Sequence, residues 1–121
     1  MSSAVLLIAH GSRRREANDD LARLAEMLRS RWSRGPVEIA YLELAEPTIP
    51  QGLEACLRQG ASEIRMSPYF LSEGAHVTED LTRFRNDFAS IHPEVRVILC
   101  PPLGLHPLIV EIVLQRIGET A

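Results

Sequence analysis

The stretch AVLLIAHGSRRREAN, residues 4–18, joins an apolar run to a charged segment through a histidine and a Gly-Ser turn. Six consecutive apolar residues that end at turn residues are typical of a strand buried on both faces. Beyond the turn, apolar residues recur at helical spacing from Ala17 to Trp32, which predicts an amphipathic helix that ends at Gly35 and Pro36. The stretch therefore predicts a strand–turn–helix unit in which His10 ends the strand.

The same unit recurs along the rest of the chain. Further strands are predicted at residues 37–42, 64–67 and 95–99, and further helices at 47–57, 78–91 and from 107 onward. The last helix is predicted to pack on the core through Leu108, Ile109, Ile112, Val113 and Ile117. Because strands that alternate with helices indicate a parallel sheet covered on both faces, we predict a flavodoxin-like, three-layer α/β/α fold with a four-stranded parallel sheet, spanning residues 1–121 as a single domain.

Composition and charge narrow the function classes. The chain has 121 residues and a formal net charge of -3, whereas a general nucleic-acid binder is basic. The apolar run AVLLIA is too short to cross a membrane or to form a secretory signal, so we expect a cytoplasmic protein with no nucleic-acid or membrane partner. Cys56 and Cys100 form no C-x-x-C motif and are interpreted as two buried thiols of a cytosolic protein.

Three potential metal ligands follow three of the predicted strands. In open parallel sheets the ligand lies beyond the carboxyl ends of the strands, where His10, Glu43 and His76 are expected to converge. Two imidazoles and a carboxylate suit a divalent transition metal such as Co²⁺, Ni²⁺ or Fe²⁺. Taken singly, each has a plainer interpretation: His10 as a hydrogen-bonding surface residue, Glu43 as a solvated carboxylate and His76 as a helix-start residue. Their shared position favours a metal site.

The same edge of the sheet carries features that suit an anionic, partly apolar ligand. The amides of Gly11 and Ser12 form an anion-binding turn, and Arg13 adds a cation where a helix dipole disfavours one, while Arg14 and Arg15 are interpreted as solvated. Tyr69, Phe70 and Leu71 are candidates for an apolar wall, although Phe70 and Leu71 fit a core position equally well. The candidate substrate-binding residues are Gly11, Ser12, Arg13, Tyr69, Ser72, Gly74 and Ala75. A site with cations, apolar walls and metal ligands suits a carboxylated macrocycle that binds together with a metal ion.

Two further histidines are given structural interpretations. His92 precedes Pro93 in a helix–strand loop on the opposite edge of the sheet and is interpreted as structural or solvated. His106 precedes Pro107 at the start of the last helix. An N-cap-type role is preferred for it over that of a metal ligand.

Four segments carry a family resemblance that covers nearly the whole chain: LLIAHGSRRREAN (6–18), YLELAEPTIPQGL (41–53), GASEIRMSPYFLSEGAHVTEDL (60–81) and PPLGLHPLIVEIVLQRI (101–117). In this order they resemble the small, single-domain sirohydrochlorin cobaltochelatases of the class II (CbiX-type) chelatase family. The resemblance implies insertion of a divalent metal into sirohydrochlorin without ATP or an organic cofactor, in cobalamin- or sirohaem-type tetrapyrrole biosynthesis. Cobalt is the expected metal substrate, with nickel and iron as alternatives.

The resemblance also implies the site residues and the assembly. The two active-site histidines of the family match His10 and His76, and the acidic residue that joins them in some members matches Glu43. All three are expected to be catalytic and to bind the metal. Longer class II chelatases carry two such domains facing a cleft, so the small form is expected to build its cleft as a homodimer.

Other functions remain open at the level of the sequence. A non-catalytic carrier of tetrapyrrole or metal would use the same residues, and a subunit that serves only in assembly would also keep the fold. A histidine phosphatase is disfavoured, since its nucleophilic histidine follows an arginine, whereas Ala9 precedes His10.

Overall fold

The computed structural model describes residues 2–119 and contains four strands that alternate with four helices. The elements are β1 (Ser3–Ala9), α1 (Arg15–Arg29), β2 (Val37–Tyr41), α2 (Ile49–Arg58), β3 (Glu63–Pro68), α3 (Ala75–Ile91), β4 (Arg96–Leu99) and α4 (Pro107–Glu119). The strands are all parallel, in the order β2-β1-β3-β4. This confirms the predicted α/β fold with a four-stranded parallel sheet of flavodoxin-like order.

Two hydrophobic clusters lie on the two faces of the sheet. Alternate residues of β1 serve both, because successive side chains of a strand point to opposite faces. One cluster, beneath α2 and α3, includes Leu6, Ile8 and Ile64, while the other, beneath α1, includes Val5 and Leu7. β1 is therefore covered on both sides, which explains its uninterrupted apolar sequence.

Two helices begin at positions different from those predicted. α2 begins at Ile49 and not at Pro47, because Thr48 caps it: the Thr48 hydroxyl accepts from the Gln51 N–H, and the Gln51 side chain accepts from the Thr48 N–H. α3 begins at Ala75, three residues before the predicted start, with Gly74 as its N-cap. His76 consequently lies in the first turn of α3.

The prediction that α4 packs on the core is wrong. None of its described side chains is buried; Leu108 is 66% exposed and Ile112 is 52% exposed. The apolar spacing correctly predicted a helix, but periodicity does not say what covers the apolar face. Among residues 2–119, no helix is long and apolar enough to cross a membrane.

The two cysteines differ in environment. Cys56 is fully buried on the core-facing side of α2, and burial raises the pKa of its thiol to about 12. Cys100 is only half-buried, so the prediction of two buried thiols is wrong for this residue. The pKa of the Cys100 thiol is also raised, chiefly by desolvation.

Candidate metal and substrate site

The carboxyl ends of β1 and β2 place His10 beside Glu43. Backbone pairing continues beyond the two strands: the Leu42 N–H donates to the Ala9 carbonyl at 2.9 Å, and the Glu43 N–H donates to the His10 carbonyl at 3.0 Å. The side chains then meet directly, with His10 Nε2 2.8 Å from Glu43 Oε1. Two residues that are 33 positions apart in sequence are thus joined in one hydrogen-bonded pair.

Gly11 allows the two strand ends to approach this closely. Its φ is +98°, in the region that favours glycine, and a Cβ at this position would lie 1.8 Å from the Glu43 carbonyl oxygen. The turn after β1 therefore crosses directly over the backbone of Glu43. Any side chain at position 11 would separate the segments that carry His10 and Glu43.

The His10–Glu43 pair faces solvent. The side chains are 53% and 55% exposed, respectively, so ligands can reach both without a conformational opening. A carboxylate that accepts from one ring nitrogen orients the imidazole and fixes its tautomer. The pair can therefore bind a divalent ion, with release of the proton that the two side chains share, or accept a proton from a ligand.

His76 lies outside this pair. Its side chain is exposed in the first turn of α3. Within residues 2–119, no three His, Cys, Asp or Glu side chains are arranged to hold one metal ion. The structure thus joins two of the three predicted ligands, and the participation of His76 stays a prediction.

The turn after β1 is held by hydrogen bonds within the chain. The Ser12 N–H donates to Asn18 Oδ1 at 3.0 Å, the Asn18 amide donates to the Ser12 carbonyl at 2.7 Å, and the Ser12 hydroxyl accepts from the Arg14 N–H at 3.0 Å. The Ser12 amide therefore has a partner within the chain, and the binding of a substrate carboxylate at Gly11 and Ser12 stays a prediction. Arg13 is exposed, so an anionic ligand can reach its guanidinium.

Asn18 is a positioning residue that the sequence did not reveal. Its side chain closes the turn after β1, and its carbonyl accepts from the Tyr41 hydroxyl at 2.6 Å. Tyr41 is buried at the end of β2, and burial, followed by the charge of Asp19, raises the pKa of its phenol. Asn18 and Tyr41 thereby tie α1 to the end of β2, two residues before Glu43.

Exposed apolar side chains lie in the loops at the carboxyl edge of the sheet, the edge that also carries the His10–Glu43 pair. Tyr69 is 43% exposed and Leu71 is 68% exposed, whereas Phe70 packs against the core and lies edge-on to the His10 ring at 6.3 Å between centroids. Three leucines that the sequence analysis did not single out share this edge: Leu44, Leu103 and Leu105. The sequence could have indicated them only through their position, because each lies in a loop that follows a strand.

The segment before α3 has open space beside Gly74, while Glu73 forms a hydrogen bond to the helix that follows. A Cβ added to Gly74 would meet no atom within 4 Å, and Ser72 and Ala75 are exposed. The Glu73 carboxylate accepts from the Thr78 hydroxyl at 2.9 Å, so it supports the first turn of the helix.

The two remaining histidines are placed as predicted. His106 Nδ1 accepts from the Leu108 N–H at 3.1 Å, which confirms an N-cap-type role at the start of α4. His92 lies at the opposite edge, where its ring packs on Phe88 at 4.6 Å between centroids. Glu94 lies 3.5 Å from its Nδ1. His92 is therefore structural.

Comparison with known proteins identifies relatives over the full length of the fold. The family model for CbiX matches residues 4–120. A sirohydrochlorin ferrochelatase from Priestia megaterium is 38% identical over 97% of this chain and 44% of its own length. A sirohydrochlorin cobaltochelatase from Methanocaldococcus jannaschii is 32% identical over 93% of this chain and 96% of its own length.

A solved structure agrees with the sequence comparisons. The sirohydrochlorin chelatase SirB from Bacillus subtilis subspecies spizizenii, in complex with cobalt, superposes with a TM-score of 0.91 at 35% identity. The match covers 98% of this chain and 51% of that one. This chain thus spans about half the length of the ferrochelatase and of SirB, and nearly the whole length of the archaeal cobaltochelatase.

Proposed function

This chain belongs to the CbiX family, and on that premise we propose that it is a chelatase that inserts a divalent metal ion into sirohydrochlorin without ATP. The observation that carries the proposal is the His10–Glu43 pair, exposed at the carboxyl edge of the sheet. Relatives named as sirohydrochlorin chelatases support the substrate. The metal ion is a substrate of this reaction, held only in transit.

The spacing of the pair fits a shared metal ion. First-row metals bind imidazole nitrogen and carboxylate oxygen at about 2.1 Å, so two ligands at a right angle lie about 3 Å apart. His10 Nε2 and Glu43 Oε1 are already 2.8 Å apart. A metal ion can therefore replace the proton between these atoms with little movement of either side chain, and the proton is released as the ion binds.

The reaction requires that two protons leave the tetrapyrrole. Each pyrrolic N–H is exchanged for a bond to the metal, and a nearby base must accept the proton. Histidine titrates close to neutral pH, which suits both the binding of metal and the exchange of protons. We assign metal binding to His10 and Glu43, and assign His76, in the first turn of α3, as the third ligand or the proton acceptor.

The surroundings of the pair suit a flat, carboxylated macrocycle. Exposed apolar side chains, among them Leu44, Tyr69 and Leu71, offer contacts to its ring faces. Arg13 and the open space at Gly74 are assigned to its carboxylate groups and periphery.

Cobalt is the metal substrate that we propose, with iron as the competing assignment. The archaeal relative that this chain nearly matches in length is named a cobaltochelatase, while other relatives are named ferrochelatases. Histidine and carboxylate ligands accept both ions. The test is to offer the purified protein sirohydrochlorin with Co²⁺, Fe²⁺ or Ni²⁺ without oxygen and to follow each insertion by absorbance.

We further propose that two copies of this chain form one substrate cleft. The chain covers about half of SirB, and α4 exposes an apolar surface that a monomer would leave in water. A second copy of the chain would supply the other wall of the cleft.

Substitution of the pair tests the assignment of the site. His10→Ala should lower the insertion rate by about 100-fold or more, since a positioned acid–base group contributes about 10²–10⁴-fold. Glu43→Gln should lower it by about 10–100-fold through loss of a ligand and of imidazole orientation. Glu46→Gln is the matched control, because it removes the charge of an exposed glutamate in the same loop, and it should keep the wild-type rate.

Two results would overturn the proposal. Wild-type rates in both His10→Ala and Glu43→Gln would exclude the pair from the reaction. A wild-type protein that binds sirohydrochlorin and metal but completes no more than one insertion per chain would be a carrier and not an enzyme.

A further inference from the structure

Leu44, the residue after Glu43, combines an unusual backbone conformation with an exposed side chain. Its φ is +65°, and it is the one residue other than glycine in the range 2–119 for which φ is positive. The left-handed conformation crowds the Cβ of an L-residue against the carbonyl oxygen that follows, so it is unfavourable for leucine. The side chain is 54% exposed, and neither hydrophobic cluster of the sheet includes it. Little burial within the chain therefore offsets the strain.

The surrounding loop holds Leu44 in this conformation. Leu42 packs against the cluster beneath α2 and α3, whereas Ala45 packs against the cluster beneath α1, on the other face of the sheet. The chain thus crosses the carboxyl edge between these two residues, with Leu44 at the crossing. The Tyr41 N–H donates to the Pro47 carbonyl at 2.8 Å, which closes the loop. A strained residue persists where its surroundings over-determine it in this way.

Leucine is an unfavourable residue for this position. The other positive φ angles in the described part of the chain belong to Gly11, Gly60 and Gly104, which have no Cβ to crowd. Glycine or asparagine at position 44 would adopt the same backbone more readily and would expose no apolar side chain. Stability alone would therefore favour either of them over leucine. Strained positions of this kind cluster at ligand-binding sites, where the strain is retained for function.

Leu44 lies beside the metal-binding pair. It follows Glu43 directly, so the two Cα atoms lie about 3.8 Å apart. Glu43 is joined to His10 twice: its N–H lies 3.0 Å from the His10 carbonyl, and its carboxylate lies 2.8 Å from Nε2. The backbone that bears Leu44 is thus held next to the pair. A macrocycle that receives a metal ion from Glu43 extends several ångströms around that ion, which brings its ring within reach of the next side chain.

We propose that Leu44 is a substrate-contacting residue that selects an apolar ring face, and that its left-handed backbone is retained for this contact at the expense of stability. The inference rests on the proposed chelatase function and concerns substrate binding alone, because an isobutyl group carries no proton and binds no metal. Its removal should weaken binding equally before and during metal insertion, which raises KM and leaves kcat largely unchanged. The affinity for Co²⁺ alone should not change, because His10 and Glu43 keep their ligand atoms.

Leu44→Asn tests the contact with little disturbance of the fold. Asparagine is close to leucine in size and adopts the left-handed conformation more readily. The KM for sirohydrochlorin, and its Kd from the fluorescence of the metal-free tetrapyrrole, should both rise by about tenfold or more, as expected when a leucine side chain loses an apolar contact. The midpoint of urea unfolding should equal or exceed that of the wild type. A merely structural role would not combine weaker binding with undiminished stability.

Three further variants make the result specific. Leu44→Gly removes the side chain and the strain together, so it should raise KM as Leu44→Asn does. Leu44→Met restores an apolar side chain of similar size and should return KM most of the way from its value in Leu44→Asn. Met27→Asn is the matched control, because Met27 is 68% exposed in the last turn of α1, away from the carboxyl edge, and it should keep the wild-type KM.

Four results would overturn the inference. If Leu44→Asn and Leu44→Gly keep the wild-type KM and Kd in a protein that inserts metal, Leu44 does not contact the substrate, while the chelatase proposal stands. A urea midpoint that falls in Leu44→Gly would show that leucine is not strained at this position. Variants that bind sirohydrochlorin normally but sediment as dissociated copies would place Leu44 against a second copy and not against the ring. Failure of the wild type to bind sirohydrochlorin would reject the proposed function, and this inference with it.

Discussion

At the scale of single residues, Gly11 has a role that can be tested without any substrate. Gly11→Ala adds a Cβ at 1.8 Å from a backbone oxygen, in a conformation with φ of +98°. A strained backbone position of this kind costs about 1–3 kcal/mol by itself, and the collision with the Glu43 carbonyl adds to it. We expect Gly11→Ala to lower the free energy of unfolding in urea by more than about 3 kcal/mol.

Gly60→Ala separates backbone strain from the collision. Gly60 has a similar φ of +85°, but a Cβ there would meet no atom within 4 Å. It should therefore lose about 1 kcal/mol, from strain alone. Equal losses in the two variants would mean that the approach of Gly11 to Glu43 is not what the structure indicates.

Glu63 gives a prediction for the dependence of stability on pH. The carboxylate is buried at the start of β3, where the Ser3 hydroxyl donates to it and Arg65 Nε lies 2.9 Å away. These contacts, with the charges of Arg65 and Arg96, outweigh burial and lower the pKa of Glu63. An unfolded glutamate has a pKa of about 4.3, so the folded protein binds fewer protons than the unfolded chain between that value and the lower folded value.

The acid limb of the stability curve should therefore depend on Glu63. Its contribution is complete above about pH 4.3 and is lost as the pH falls through the folded pKa. In urea titrations, Glu63→Gln should lower stability at pH 7 and flatten the decline between pH 5 and pH 2. Glu26→Gln, on the exposed side of α1, should keep the wild-type slope. A wild-type slope in Glu63→Gln would assign the acid sensitivity to other groups.

At the scale of elements, the sequence predicted a strand or a helix correctly wherever the local apolar pattern is compatible with only one of them. A continuous apolar run predicted β1, and helical spacing predicted α1 and α4, because burial on a strand or helix repeats with a fixed period. The covering of α4 was predicted wrongly, since the same apolar spacing results whether its own chain or another one buries the helix. The predicted starts of α2 and α3 differ from the observed ones by two and three residues, because the N-cap residue determines where a helix begins. Thr48 is that residue for α2.

For the candidate site, the sequence predicted which residues lie near one another but not their hydrogen bonds. The carboxyl ends of parallel strands meet at one edge, so the neighbourhood of His10 and Glu43 followed from topology. The engagement of the Ser12 amide did not, because it depends on the side chain of Asn18 six residues later. The three leucines of the edge were missed because a leucine in a loop carries no signal of exposure.

The cap of α2 gives an element-scale prediction. Thr48→Ala removes the hydroxyl that accepts from the Gln51 N–H and should lower the unfolding free energy by about 1 kcal/mol. Thr82→Ala is the matched control within α3, where alanine favours the helix, and it should change stability by less than about 0.5 kcal/mol. A loss in Thr82→Ala as large as that in Thr48→Ala would remove the capping box from the explanation.

At the scale of the whole molecule, the exposed α4 and the site lie on connected parts of the fold. α4 begins directly after the segment that carries Leu103, Leu105 and His106, at the same edge of the sheet as the His10–Glu43 pair. Whatever fixes α4 therefore also restrains a loop at the sheet edge that carries the His10–Glu43 pair. Pairing of two copies should then govern stability and metal insertion together.

Protein concentration tests this coupling directly. If two copies must associate to bury α4, a hundredfold increase in concentration stabilises the folded dimer by about 2.7 kcal/mol. In an assembly of about 240 residues, each kcal/mol raises the Tm by about 2–4 °C, so the Tm should rise by about 5–10 °C. Ile112→Asp, which places a charge on α4, should remove this dependence, and insertion activity per chain should fall on dilution only in the wild type. A Tm that stays constant over this range, in a protein that sediments as a monomer, would contradict the pairing, because a monomer gains nothing from mass action.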